Sequence, residues 1–269
     1  MSILKKFEHK IYSQNGEDGI IAFLLDIVGR RNKYYVEFGA ADGNECNTRY
    51  LREHAGFQGL LMDGGHENLD IDLYQEMIYR DNINELFFKY KVPNEFELLS
   101  IDVDGNDLWL WEALDEKYQP RIVIMEFNGA LPPPISVTIP YDASHQWDGT
   151  SYIGASLGAL DILAKKKGYT LVGCDSSGVN SFFIRDDFRE TLQKCESIPS
   201  LKEAFAPAAH ANYCTGGTTR FQINGYTMHS HLKFNQQERQ FVEYPSGKPI
   251  VIDGIDQGIF LTLEEIGLS

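Results

Sequence analysis

The chain has no basic stripe, no long uninterrupted apolar run and no closely spaced cysteine pair, and each absence removes a class of function. Lys and Arg number 24 against 39 Asp and Glu, a formal net charge of -15. Phosphate backbones therefore find no counter-charge, and neither nucleic acid nor an anionic membrane surface is an expected partner. The longest apolar stretch, Ile20 to Val28, is broken by Asp26, and it falls short of the roughly 20 residues that span a bilayer. The opening Met1 to Phe7 has no apolar segment and cleavage site behind it, so neither a signal peptide nor membrane insertion is expected. Cys46, Cys174, Cys195 and Cys214 lack C-x-x-C spacing, which argues against a zinc knuckle or a disulfide framework and makes a reducing cytoplasm the expected location. No repeat or low-complexity segment is present.

What is there reads as a globular α/β chain. With 43% hydrophobic and 12% aromatic residues over 269 positions, it can bury the core of one large domain, or of a domain with an appendage. Ile20, Ile21, Leu24, Leu25 and Val28 have helical spacing, and Gly29 is a stop. A short helix is expected over Asn47 to His54. Strands are expected at Gly59 to Met62, Leu98 to Val103, Arg121 to Phe127, Thr170 to Gly173 and Ser181 to Ile184, with a helix over Leu157 to Lys167 that ends in three lysines. This alternation predicts a mainly parallel sheet covered on both faces. Leu131 to Thr150 interrupts the rhythm and leaves from the carboxyl end of a strand, where a functional loop or lid belongs. Past about Asp187 the alternation decays into a tail with His210, Gly216-Gly217, His229 and His231, and with strand-like runs at Phe221 to Ile223 and Val251 to Ile252. The expected division is a domain over 1–188 and an extension over 189–269 that caps a substrate site or forms a subunit interface in a homo-oligomer.

The segment Tyr35-Val36-Glu37-Phe38-Gly39-Ala40-Ala41-Asp42-Gly43 is the strongest local signal. It reads as a strand, a tight turn and a helix start, the arrangement that cradles nucleotide-sized cofactors. Gly39 and Gly43 would let the backbone approach a ligand. About 20 residues on, Gly59-Leu60-Leu61-Met62-Asp63 again ends in a carboxylate, at the distance where such folds hold a ribose. The Gly-x-x-x-Gly spacing and the charge of Asp42 speak against the pyrophosphate of NAD or FAD. S-adenosylmethionine carries no phosphate and two cationic groups, and Glu37 and Asp42 suit it electrostatically. The plain alternative is a strand-turn-helix with no ligand.

Further acids stand at two later strand ends. In Ser100-Ile101-Asp102-Val103-Asp104-Gly105-Asn106-Asp107, Asp102 and Asp104 would share one side if the strand continued that far. Glu126, in Ile122-Val123-Ile124-Met125-Glu126-Phe127-Asn128-Gly129, would sit beside Asp102 on the neighbouring strand. Carboxylates that close need a cation or a proton between them, and Mg²⁺ or Mn²⁺ takes such oxygen ligands. Asp102, Asp104 and Glu126 are the candidate metal ligands, and His145 in the long loop is a candidate base or third ligand. Against this stands plain capping of a helix beginning near Leu108 by Asn106 or Asp107, and an exposed loop role for His145.

The motifs Ser13-Gln14-Asn15-Gly16-Glu17-Asp18, Val36 to Gly43, Leu98 to Asp107 and Val123 to Asn128, with Gly154-Ala155-Ser156-Leu157 and Asn180-Ser181-Phe182-Phe183, occur in an order that resembles the FkbM-like branch of class I S-adenosylmethionine-dependent methyltransferases. The resemblance runs from about Tyr12 to Phe188. It implies a Rossmann-like, seven-stranded sheet with the cofactor over the turn formed by Glu37, Gly39, Ala40, Asp42 and Gly43. It also implies Gln14 among the cofactor contacts, Asp63 on the ribose hydroxyls, and Ser100 and Asp102 along the methyl-donor side. Ala41 stands where many members carry a second glycine. Macrolide sugar O-methyltransferases of related architecture hold a divalent metal with acids after the fourth and fifth strands, and Asp102 and Glu126 look like their counterparts. The implied activity is O-methylation of a small polar acceptor, a sugar or a precursor of a surface polysaccharide or secondary metabolite, with Asp102, Glu126 and His145 as the catalytic candidates. Methylation at nitrogen or on a phosphorylated group, a non-catalytic cofactor-binding protein, and a metal-dependent hydrolase are the competing readings.

Overall fold

Apolar runs that end in turn residues become strands, and amphipathic runs between them become helices, in a strict enough alternation to build one central sheet. A computed structural model describes residues 3–208, 219–223, 226–230 and 239–252. His210, Cys214, the Gly216-Gly217 pair and His231 lie outside them. In chain order the elements are α1 (Glu17–Val28), β1 (Tyr34–Phe38), α2 (Arg49–His54), β2 (Gln58–Asp63), β3 (Leu73–Gln75), α3 (Ile83–Lys89), β4 (Glu95–Ile101), α4 (Asp107–Ala113), β5 (Gln119–Glu126), β6 (Val137–Thr138), α5 (Leu157–Lys167), β7 (Tyr169–Cys174) and β8 (Asn180–Arg185). There follow α6 (Arg189–Gln193), α7 (Leu201–Ala204), β9 (Thr219–Ile223), β10 (Tyr226–Ser230), β11 (Arg239–Glu243) and β12 (Pro249–Ile252).

The main sheet has seven strands in the order β3-β2-β1-β4-β5-β8-β7. β3 through β5 pair in parallel, and β8 runs antiparallel to both β5 and β7. This is the Rossmann-like, mainly parallel α/β sheet expected from the sequence. Chain order reverses between β1 and β4, and open α/β sheets bind ligands in the crevice outside the strand ends at such a switch point.

Burial on both faces follows from alternation along each strand. Val36, Phe38, Leu99, Ile101, Val123 and Met125 face α3, α4 and α5, where Phe87, Leu110, Trp111, Leu160 and Leu163 complete one core. Tyr35, Leu61, Leu98, Ile122 and Ile124 face α1 and α2, against Ile20, Ile21, Leu24, Leu25 and Leu51. Helix α5 is capped at both ends as its sequence suggests: the Ser156 hydroxyl accepts from the Ala159 N–H, and Gly168 closes the helix with φ 81°.

The boundaries differ from the sequence reading in two places that matter for the site. β4 stops at Ile101, two residues short of expectation, and Asp104 turns the chain with φ 56°. Beyond β8, the tail does not stand apart from the rest of the chain. β11 pairs with β6 inside the long loop, Val242 opposite Thr138. The Tyr152 hydroxyl donates to the Gln240 carbonyl at 2.8 Å, and Tyr244 donates to Glu112 at 2.9 Å.

Candidate functional site

A cleft of about 390 Å³ opens at the switch point, lined by Gly39, Ala41, Asp63, Gly64, Glu76–Tyr79, Asp102–Asp104, Asn106, Ala143 and His145. Its walls are the carboxyl ends of β1, β2 and β4, the segment after β3 and the long loop. No lysine or arginine lines it, so it offers no cationic side chain to a pyrophosphate. A second recess of about 350 Å³ lies among Trp111, Tyr118, Lys167 and Arg185, near the opposite ends of the strands, and contains no comparable group of acids.

Asp63 ends β2 and is already well supplied with donors. Its Oδ1 accepts from the Gly65 and His66 N–H groups at 2.8 and 3.1 Å and contacts His66 Nδ1 at 2.8 Å, while Oδ2 accepts only from the Ala41 N–H at 2.9 Å. The carboxylate thus fastens the β1 turn to the β2 turn and keeps acceptor capacity on Oδ2, in a residue that lines the cleft.

The glycine turn is tight for reasons internal to the chain. A Cβ on Gly39, where φ is 70°, would lie 1.6 Å from the Asp102 carbonyl oxygen, and one on Gly43 would meet Ile71 Cδ1 at 2.5 Å. The need for glycine therefore comes from the approach of β4 and of Ile71, and the expected approach to a ligand is not what fixes either position. Ala41 adopts φ 45°, the left-handed conformation in which a glycine would be unstrained.

Glu37 sits elsewhere than the sequence reading placed it. It alternates with Tyr35 and so points to the α1 and α2 side, where its carboxylate accepts from Asn47 N–H at 2.8 Å, Thr48 N–H at 3.0 Å and the Thr48 hydroxyl at 2.6 Å. Burial raises its pKa, and these donors pull against the rise. Glu37 holds the entry to α2 and does not line the cleft. Ser100 stays on the same side, accepting from the Asn47 amide at 3.1 Å. Asp42 is exposed and binds Asn44, Gln14 is exposed beside Lys10, and Ala40 and Gly43 are buried under the turn.

Next to the cleft is a knot of acids. Asp102, Asp107 and Glu126 each offer an oxygen within 4.8 Å of the others. The register explains the first contact: Ile101 pairs with Met125, so Asp102 and Glu126 follow side by side. Asp107 takes the place expected of Asp104, because the chain turns instead of continuing the strand. Its carboxylate accepts from the Val103 N–H at 2.8 Å and the Gly105 N–H at 2.9 Å, bracing that turn. Asp104 itself is exposed. Burial pushes Asp107 up to about 6. Burial, then the charge of Asp107, raises Asp102 well above the usual carboxylate range, and burial, then the charge of Asp102, does the same to Glu126. Glu126 Oε2 is enclosed and has no hydrogen-bond partner.

His145 packs over Gly105, with Nε2 3.1 Å from the Asp104 carbonyl. A carbonyl only accepts, so Nε2 carries a proton, and in the neutral ring the lone pair lies on Nδ1. His145 and Asp102 both line the cleft, Glu126 does not, and Asp102 is the residue common to cleft and acid knot.

Sequence reasoning missed Met77, Ile78 and Tyr79, which follow a three-residue strand, and it missed Asp107 as a member of the knot. The motif Ser13 to Asp18 closes the start of α1. Asp18 Oδ2 accepts from the N–H groups of Ile11, Tyr12 and Ser13 and from the Ser13 hydroxyl, at 2.7 to 2.9 Å. Glu17 meets the Asn180 amide at 2.9 Å across 163 residues.

Compared with known proteins, the chain matches no family model and no curated sequence. Among solved structures, it is similar to an S-adenosylmethionine-dependent methyltransferase from Aquifex aeolicus, at 10% identity over 61% of this chain and 87% of that one, with a TM-score of 0.31. Among the described residues, no helix is long and apolar enough to cross a membrane.

Proposed function

We propose that the protein is an S-adenosylmethionine-dependent O-methyltransferase acting on a small polar acceptor, a sugar or another precursor of a surface polysaccharide or secondary metabolite. The carrying observation is the acidic cleft at the switch point of the sheet, which shares Asp102 with a partly buried knot of carboxylates. S-adenosylmethionine supplies a methyl group on a sulfonium, and the cleft fits it: four acids and a histidine line the walls, and no cationic side chain is present to repel the sulfonium and ammonium. Asp63 Oδ2 is the acceptor for a ribose hydroxyl, and Asp102 faces the positive end of the donor.

The acceptor belongs beside Asp102, over the ends of β4 and β5. Methyl transfer is an in-line displacement, so the protein's task is to hold the acceptor oxygen in line and to take its proton. His145 Nδ1 is free to receive it. Asp102 and Glu126 are hard oxygen donors whose repulsion and unpartnered Oε2 fit a divalent cation, Mg²⁺ or Mn²⁺; such a cation lowers the pKa of a hydroxyl beside it. Asp107, committed to two backbone N–H groups, supports these two. The reading of a sugar acceptor rests on the motif resemblance alone.

Incubation with S-adenosylmethionine and a panel of sugars and sugar nucleotides, with release of the demethylated cofactor as the readout, tests this proposal. Glu126→Gln is expected to lose turnover while keeping its affinity for the cofactor, since Glu126 lies outside the cleft. Turnover unchanged by that substitution removes the acid knot from the mechanism.

A further inference from the structure

We infer that Asn180 is a neutral oxygen ligand of the cation site at Asp102 and Glu126, aimed there by Glu17. The inference rests on the cation reading above and extends it to two residues far from the acid knot in sequence. Asn180 opens β8 directly opposite Glu126. Because Phe127 N–H donates to the Val179 carbonyl on the next rung, Glu126 and Asn180 form the non-hydrogen-bonded kind of antiparallel pair, whose side chains stand closest. Both project to the α1 side of the sheet.

Asn180 is only 4% exposed, yet its Oδ1 has no partner, and neither has Glu126 Oε2. Two enclosed oxygens without donors, on residues that face each other across the strands, are costly unless something that accepts lone pairs reaches them. The amide cannot relieve this by flipping. Its Nδ2 donates to Glu17 Oε1 at 2.9 Å, and only the NH₂ end can face a carboxylate. Glu17 is itself completely buried and anchored by the Asn15 N–H at 2.7 Å. Its orientation is thus set by the loop at the start of α1, and it fixes the amide end of Asn180 on Glu17, which leaves Oδ1 as the end free to meet a ligand. A side-chain carbonyl oxygen beside carboxylates is a donor set for a hard divalent cation. It adds a ligand without adding a fourth charge to an already repulsive knot. Asn180 acts here as a ligand and Glu17 as a positioning residue.

The test is Mn²⁺ titration of the full chain, with free Mn²⁺ read by electron paramagnetic resonance and binding of S-adenosylhomocysteine as the check that the cleft is intact. Asn180→Leu is expected to weaken Mn²⁺ binding about tenfold or more, and Glu17→Gln, which lets the amide turn, about tenfold, both with unchanged S-adenosylhomocysteine affinity. Asn180→Asp, which keeps an oxygen at the position, is expected to bind Mn²⁺ more tightly than Asn180→Leu. If Asn180→Leu does not fold, Glu17→Gln decides. Wild-type Mn²⁺ affinity in folded Asn180→Leu or in Glu17→Gln overturns the role of Asn180 while leaving the cation site standing. No Mn²⁺ binding by the wild type, with S-adenosylhomocysteine still bound, overturns the cation reading and this inference together.

Discussion

Replacing Gly39 by alanine probes the most crowded point of the site. The added Cβ would lie 1.6 Å from the Asp102 carbonyl oxygen, where real Cβ contacts stay beyond 3.0 Å, so main chain must move by more than an ångström. The obstacle is backbone at the end of β4, next to the Phe38 and Ile101 rung, and no side chain can rotate away to make room. Holding alanine at φ 70° costs about 1 to 2 kcal/mol on its own, and displacing the last rung between β1 and β4 brings the total above about 4 kcal/mol. In a chain of this size that lowers the melting temperature by about 10 °C or more. Gly43→Ala is the control. Its φ of 78° imposes the same strain, but its obstacle is the tip of Ile71, which can rotate, so the cost stays near 1 to 2 kcal/mol. Thermal unfolding followed by circular dichroism compares the two. Equal melting temperatures would refute the claim that the β4 backbone dictates glycine at position 39.

Four further outcomes follow from the same contacts. Glu97 is fully buried and accepts from the N–H groups of Arg31, Asn32 and Tyr34 at 2.7 to 3.0 Å; Glu97→Ala, measured by urea denaturation, is expected to cost about 3 to 5 kcal/mol by orphaning three donors. Glu95, paired first with Arg121 and then with Arg185, has its pKa lowered from about 4.5. Its contribution is present above that value and lost as pH falls through the lowered one, so the stability gap between wild type and Glu95→Gln is expected to close under acid denaturation. Asp63→Asn is expected to weaken S-adenosylmethionine binding about tenfold by calorimetry, through loss of a charged acceptor. Exhaustive chelation is expected to abolish turnover and Mn²⁺ or Mg²⁺ to restore it; full activity after chelation would leave Glu126 hydrogen-bonding the acceptor directly.

The strand ends were legible because each apolar run carries a carboxylate near its end: Glu37 is one residue short of the end of β1, Asp63 and Glu126 end β2 and β5, and Asp102 follows β4. Runs alone could not say where a strand gives out. Period-two reading carried β4 through Val103 and paired Asp102 with Asp104, whereas the left-handed turn at Asp104 swings Asp107 into the knot instead. Glu37 could have been assigned correctly from its alternation with Tyr35, since both must share the face covered by α1 and α2. β3 was missed because Leu73–Gln75 is held by its neighbour β2 and carries no pattern of its own. The Glu17 contact with Asn180 joins residues 163 apart in the chain, and no local rule brings those residues together.

Calorimetric titration of the purified chain with S-adenosylhomocysteine, run beside NAD, tests the central claim most directly. The account predicts a dissociation constant in the micromolar range for S-adenosylhomocysteine, weakened by Asp63→Asn, and no heat with NAD, because the cleft has acids and no cation for a pyrophosphate. Binding of NAD with no response to S-adenosylhomocysteine would contradict it.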